Sequence, residues 1–106
     1  MRAFIKKDIV ERTASKANID VKEASKVVDM VFVVLREIMM NADPGVRIEI
    51  RDFGVFEVKQ TAAKPKARNP KRPDQVIYIP PRRKTHFKPG KLLKNALKEP
   101  LGSMVS

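Results

Sequence analysis

The segment 21–41 is apolar on nearly every side, and no other feature limits the possible folds so tightly. Val21, Ala24, Val28, Val31, Leu35 and Ile38 recur at helical spacing. Val27, Phe32, Val34 and Met39 widen that stripe, and Met30, Val33 and Met40 nearly close the circle. Such a helix must be covered on most sides. The chain has 106 residues, and a domain of that size with short helices and a few strands cannot supply the cover from within. The pattern therefore predicts an intertwined dimer whose two chains share one core.

Around that helix the other elements follow from period and punctuation. Ile9, Val10, Ala14 and Ala17 put one apolar side on a short helix over residues 7–17, with Lys7 at its cap and Asn18 suited to the left-handed residue that ends it. Asp20 opens the long helix, and Glu23 three positions on completes a capping-box pattern. Asp43-Pro44-Gly45 is a turn. Val46, Ile48 and Ile50 then alternate with Arg47, Glu49 and Arg51 as a half-buried strand, and Val55-Phe56-Glu57-Val58-Lys59 returns from the tight connection Asp52-Phe53-Gly54. Val76-Ile77-Tyr78-Ile79 regains strand character until Pro80-Pro81 breaks it. Leu92, Leu93, Ala96 and Leu97 give a short last helix its packing face, and residues 99–106 read as a frayed tail.

Charge divides the chain in two. Residues 1–60 hold 11 basic and 10 acidic side chains, whereas residues 61–106 hold 12 basic and 2 acidic, with seven of the eight prolines. A near-neutral scaffold joined to a strongly basic segment predicts a polyanion-binding surface. Residues 60–75 carry Lys64, Lys66, Arg68, Lys71 and Arg72 among Pro65, Pro70 and Pro73, with nothing apolar beyond three alanines. No core can hold this stretch, so it should project into solvent. An anionic membrane is a weaker partner, because the basic segment lacks a helical apolar face. Residues 27–40, the longest apolar run, are too short and too charged to span a bilayer, and nothing resembles a signal peptide. A soluble cytoplasmic protein is the expectation.

Catalysis is not expected. The chain has no cysteine, its one histidine, His86, lies in a basic strand, and the acids are scattered without metal-ligand spacing. Phosphate-cradling glycine loops are absent, so neither cofactor nor small-molecule substrate is expected. An RNA-binding or ribosome-associated protein is the alternative. Single-strand binders display aromatics for stacking, however, and the basic stretch has none.

Three segments in register resemble the HU / integration host factor family of nucleoid proteins: Arg51-Asp52-Phe53-Gly54-Val55-Phe56-Glu57-Val58, Arg68-Asn69-Pro70 and Phe87-Lys88-Pro89-Gly90-Lys91. The resemblance spans roughly residues 5–98, taken as a single DNA-binding domain over 1–98. It implies an α+β fold: an intertwined dimer with two N-terminal helices, a three-stranded antiparallel sheet with an extended β-arm at about 60–75, and a short C-terminal helix. It also implies an architectural protein of the nucleoid that binds double-stranded DNA, enters the minor groove and bends the duplex. The dimer would be a homodimer, or a heterodimer with a paralogue. Pro70 would be the intercalating wedge, and Lys64, Lys66, Arg68, Asn69, Lys71 and Arg72 the arm contacts. Arg51, Arg82, Arg83, Lys84, Lys88 and Lys91 would extend the basic track over the body, with Lys88 and Lys91 near the N-terminus of the last helix. A proline suits the wedge, being rigid and apolar with no N–H to leave unpaired against a base pair. The chain departs from the family where Asp52 replaces a small residue, and where Lys71-Arg72-Pro73-Asp74 follows Pro70 with one residue apparently added.

Overall fold

A computed structural model describes residues 1–102. Of the expected tail, residues 103–106 lie outside the described residues. The chain forms two compact units, Met1–Asn41 and a second that begins at Ala42.

The first unit is a helical pair, α1 (Lys6–Ala17) and α2 (Val21–Met40). The first turn of α1 is closed by Asp8, whose carboxylate accepts from the Ile5 N–H at 2.8 Å. The cap position is therefore Ile5, two residues earlier than the Lys7 expected from the sequence, because Asp8 can reach back to it. Asn18 ends the helix in the left-handed conformation, with φ 55°. Asp20 caps α2 by accepting from the Lys22 N–H at 3.4 Å. A Ser, Asp or Asn in that position stabilises a helix by about 1 kcal/mol. Val10 and Ala14 pack against Ala24 and Val28, and Lys6 closes the pair with an ion pair to Asp29 at 2.7 Å. Much of α2 is left uncovered by its partner helix α1: Val27, Met30, Val31, Phe32, Val34 and Ile38 are all exposed.

The second unit holds two sheets. One is three-stranded and antiparallel in the order β1 (Val46–Ile50), β2 (Gly54–Gln60), β5 (Arg83–Pro89). The other is a two-stranded hairpin of β3 (Lys64–Asn69) and β4 (Arg72–Ile79). A short helix α3 (Lys91–Leu97) follows Gly90, whose N–H is held by the Phe53 carbonyl at 2.8 Å.

Register sorts the three-stranded sheet into two faces, since directly paired residues share a side. Ile48, Phe56 and Phe87 form one rung of an apolar face, flanked by Val46–Val58–Thr85 and Ile50–Gly54–Pro89. Phe53 joins Phe56 and Phe87 there, with ring centroids 4.8 to 6.1 Å apart. Gly54 is required at this corner, because a Cβ would lie 2.5 Å from the Lys88 carbonyl oxygen. The opposite face carries Arg47–Glu57–His86, Glu49–Val55–Lys88 and Lys59–Lys84. Asp52 turns the chain between β1 and β2 with φ 64°, in the left-handed region that disfavours a Cβ.

Candidate nucleic-acid interface

The hairpin begins where the large sheet stops. Gln60 still pairs with Arg83 in that sheet, and Lys64 pairs with Ile79 in the hairpin. The two-stranded hairpin thus runs from Lys64 to Ile79, overlapping the basic stretch 60–75 and taking in the apolar 76–79. On β4, Val76 and Tyr78 are 67% and 61% exposed. Ile77 and Ile79 are half-buried on the other side of that strand, the side shared with Ala67.

At the tip Asn69 pairs with Arg72, leaving Pro70 and Lys71 as a two-residue turn. The Asn69 side-chain oxygen accepts the Lys71 N–H at 3.0 Å, a local bond that fixes the turn without glycine. Pro70 is exposed at its apex. The ladder is irregular on β4. Arg68 pairs with Val76 while Asn69 pairs with Arg72, so Pro73, Asp74 and Gln75 bulge out of the ladder. A second irregularity falls at Pro65 and Lys66 on β3. Both strand prolines therefore sit where no ladder N–H is needed.

Lys64, Lys66, Arg68, Lys71 and Arg72 are all exposed on the hairpin, against one acid, Asp74. At its root Arg82 is held by Thr61, and the Arg83 guanidinium donates to the Ala42 carbonyl at 2.6 Å. Lys84 and Lys88 continue along the charged sheet face in β5. Lys88 lies in that strand, three residues before α3, and its ammonium is 2.9 Å from Glu57. Arg51 is exposed in the turn before Asp52, and Lys91 is exposed as the first residue of α3.

Glu57 was not singled out by sequence reasoning, and it shapes this face. Its side chain is 7% exposed, between Lys88 and, at 3.4 Å, Lys59. The Lys88 ammonium beside it holds the carboxyl below its ordinary value of 4.5; burial opposes this and Lys59 assists. Lys59 was likewise passed over, although the alternation of β2 places it on the charged side. The basic surface is therefore continuous in residues but locally compensated at its centre. No group of residues that could hold a metal ion occurs among the described residues, and among them no helix is long and apolar enough to cross a membrane.

A cationic two-stranded ribbon with a rigid apolar tip can lie along a groove and neutralise the phosphates beside it. Comparison with known proteins agrees with that chemistry. The family model described as bacterial DNA-binding protein matches residues 4–98. The DNA-binding protein HU-1 of Halalkalibacterium halodurans is 38% identical over 87% of the chain and 97% of that protein. The DNA-binding protein HU of Geobacillus stearothermophilus is 36% identical over 88% of the chain and 98% of its own length. Among solved structures, the Anabaena HU–DNA cocrystal structure superposes with a TM-score of 0.71 at 29% identity, covering 92% of this chain and all of that one.

Proposed function

Because the chain belongs to the bacterial DNA-binding protein family, that of HU, we propose that two copies of it build one body from which a pair of proline-tipped arms grips and bends double-stranded DNA. It is an architectural DNA-binding protein, and the observation that carries the mechanism is the exposed Pro70 on a ribbon with five cations and one acid. In the minor groove the wedge separates a base step, and the kink brings flanking DNA toward the body. Lys64, Lys66, Lys71 and Arg72 neutralise phosphates, while Arg68 and Asn69 reach groove acceptors that separate A·T from G·C only coarsely. Arg51, Arg82, Lys84 and Lys91 extend the track over the body, and Lys88 contributes to the extent that Glu57 leaves it charge to spare.

Dimerisation is supported by α2, whose exposed Val27, Met30, Val31 and Phe32 are left uncovered by α1. Two copies of one chain suffice to bury them, so a homodimer is the simplest assembly. The protein is assigned no catalytic role, cofactor or small-molecule substrate, and it would work on the nucleoid.

Filter binding at matched salt tests this reading. Linear duplex, nicked duplex and structured RNA of equal length are compared at 50 and 200 mM salt. Duplex should be preferred over RNA, and nicked duplex over intact, because part of the deformation is already made. With ~6–10 phosphate contacts, affinity should fall by about 10³–10⁵ between the two salt concentrations. Preference for the RNA would replace this reading with an RNA-binding one.

A further inference from the structure

The ladder that joins β2 to β5 ends at Gln60–Arg83, and the hairpin ladder begins at Lys64–Ile79. Between them run Thr61, Ala62 and Ala63 outward and Pro80, Pro81 and Arg82 on the return. The two prolines have no N–H to donate, so regular pairing cannot carry the stiffness of the sheet into the arm. A different fastening stands in its place. The Thr61 N–H donates to the Arg82 carbonyl at 2.7 Å, and the Thr61 hydroxyl accepts from the Arg82 N–H at 3.0 Å. That hydroxyl also lies 3.2 Å from the Arg82 carbonyl oxygen. A side chain thus completes a rung that the backbone alone leaves half made.

The next residue adds a second fastening. Arg83 reaches from the root of the arm to the carbonyl of Ala42, a buried residue 41 positions away at the start of the loop before β1. Asp43 and Pro44 of that loop line the same groove as Gln60, Pro81, Arg82 and Arg83.

We propose that Thr61 and Arg83 are positioning residues that fix the angle of the arm on the sheet, and that Arg83 serves DNA binding through the arm root and not through a phosphate. The inference rests on the reading of the hairpin as a DNA-gripping arm. The leverage is considerable. A six-residue strand is about 20 Å long, so roughly 10° of rotation at the root moves the tip by about 3–4 Å. That is enough to carry Pro70 off the base step. An arm that samples many angles binds with an affinity reduced by the fraction of time it spends in the competent one.

Thr61→Val keeps the side-chain shape and removes the hydroxyl, Thr61→Ser restores it, and Arg83→Gln removes the long charged donor. The chain has no native cysteine, so spin labels at Gln75→Cys and Thr85→Cys report the arm–sheet distance. Diluting labelled chain into unlabelled chain restricts the readout to one copy. The wild-type and Thr61→Ser distributions should be narrow, and those of Thr61→Val and Arg83→Gln broad. Duplex affinity should fall about three- to tenfold in the two broad variants, the worth of one hydrogen bond, with the salt slope unchanged. An unaltered distance distribution in either variant overturns the proposal for that residue. A salt slope that drops by about 0.9 per lost contact in Arg83→Gln overturns it for Arg83, which is then a phosphate ligand. If Thr61→Val does not fold, Arg83→Gln against wild type decides by the same readouts. Failure of the wild type to bind duplex removes the DNA reading alone, because the distance measurement is made on the protein without DNA.

Discussion

Glu57 and Lys88 stand diagonally across the β2–β5 ladder, with Oε1 2.9 Å from Nζ. The contact is ionic and off the direction of a well-formed hydrogen bond. It places an acid, largely screened from water, in the middle of a face that also carries Arg47, Lys59, Lys84 and Lys88 and a second, exposed acid, Glu49, 3.4 Å from Arg47. The carboxylate offsets the charge of the two ammonium groups it touches, Lys59 and Lys88.

The first prediction concerns acid stability. The Glu57 carboxyl is held below 4.5, chiefly by Lys88. It therefore contributes stability that is present above its unfolded value and lost as pH falls through its folded one. Glu57→Gln should lower the melting temperature at pH 7, and the deficit should shrink as pH falls through the lowered folded-state value and the Glu57 carboxyl takes up its proton. Calorimetric melts across pH 3–7 check this, and a deficit independent of pH would assign Glu57 a purely steric role.

A second prediction separates the shared core from a stable lone chain. Val31 is 50% exposed in one chain, so a monomer would tolerate Val31→Glu with little loss. In a dimer the same carboxylate is buried at the interface and costs roughly 3 kcal/mol or more per chain. Sedimentation at micromolar concentration should show the wild type as a dimer and the variant dissociated or unfolded. Identical sedimentation and melting of the two would remove the dimer.

The wedge is tested by Pro70→Ala. Bending should fall more than binding, because the phosphate contacts proposed for Lys64, Lys66, Lys71 and Arg72 are left in place. Energy transfer between dyes on the duplex ends reads the bend while titration reads the affinity. Affinity should drop by about tenfold or less, in line with losing one partly buried apolar contact. An unchanged bend would leave Pro70 as an ordinary turn residue.

Asp52 carries the fourth prediction. With φ at 64° it occupies backbone space that disfavours a Cβ. Asp52→Ala should destabilise by about 1 kcal/mol, since alanine lacks the polar group that eases this conformation, and Asp52→Gly should be neutral or better. Equal melting of the two variants would show that the backbone there relaxes.

The elements set by local chemistry were legible in the sequence. Asn18 and Asp20 announce the break between helices, Val46, Ile48 and Ile50 give the period of β1, and the fragment around Phe53 and Gly54 carries the family resemblance. What escaped depends on register or on distant partners. The position of Glu57 between Lys59 and Lys88 follows only once β2 and β5 are aligned. Arg83 reads as one more cation in Arg82-Arg83-Lys84 until the loop at Ala42 is beside it. Thr61 gives no signal at all, for its hydroxyl matters only because Arg82 returns opposite it. The strand character of Val76 and Tyr78 was legible, but not that both would face water on the ribbon.

Pro65 and Pro73, each set in an irregular stretch of the hairpin, bear on how this protein survives at high concentration. A two-stranded ribbon in water has two open edges, and apolar residues such as Val76 and Tyr78 would invite other ribbons to add to them. Each proline removes a donor from its edge, and each bulge spoils the flat register on which stacking into fibrils depends. The cations that repel neighbouring ribbons complete the protection. The irregularities that break the ladder thereby help keep a crowded population of these molecules in solution.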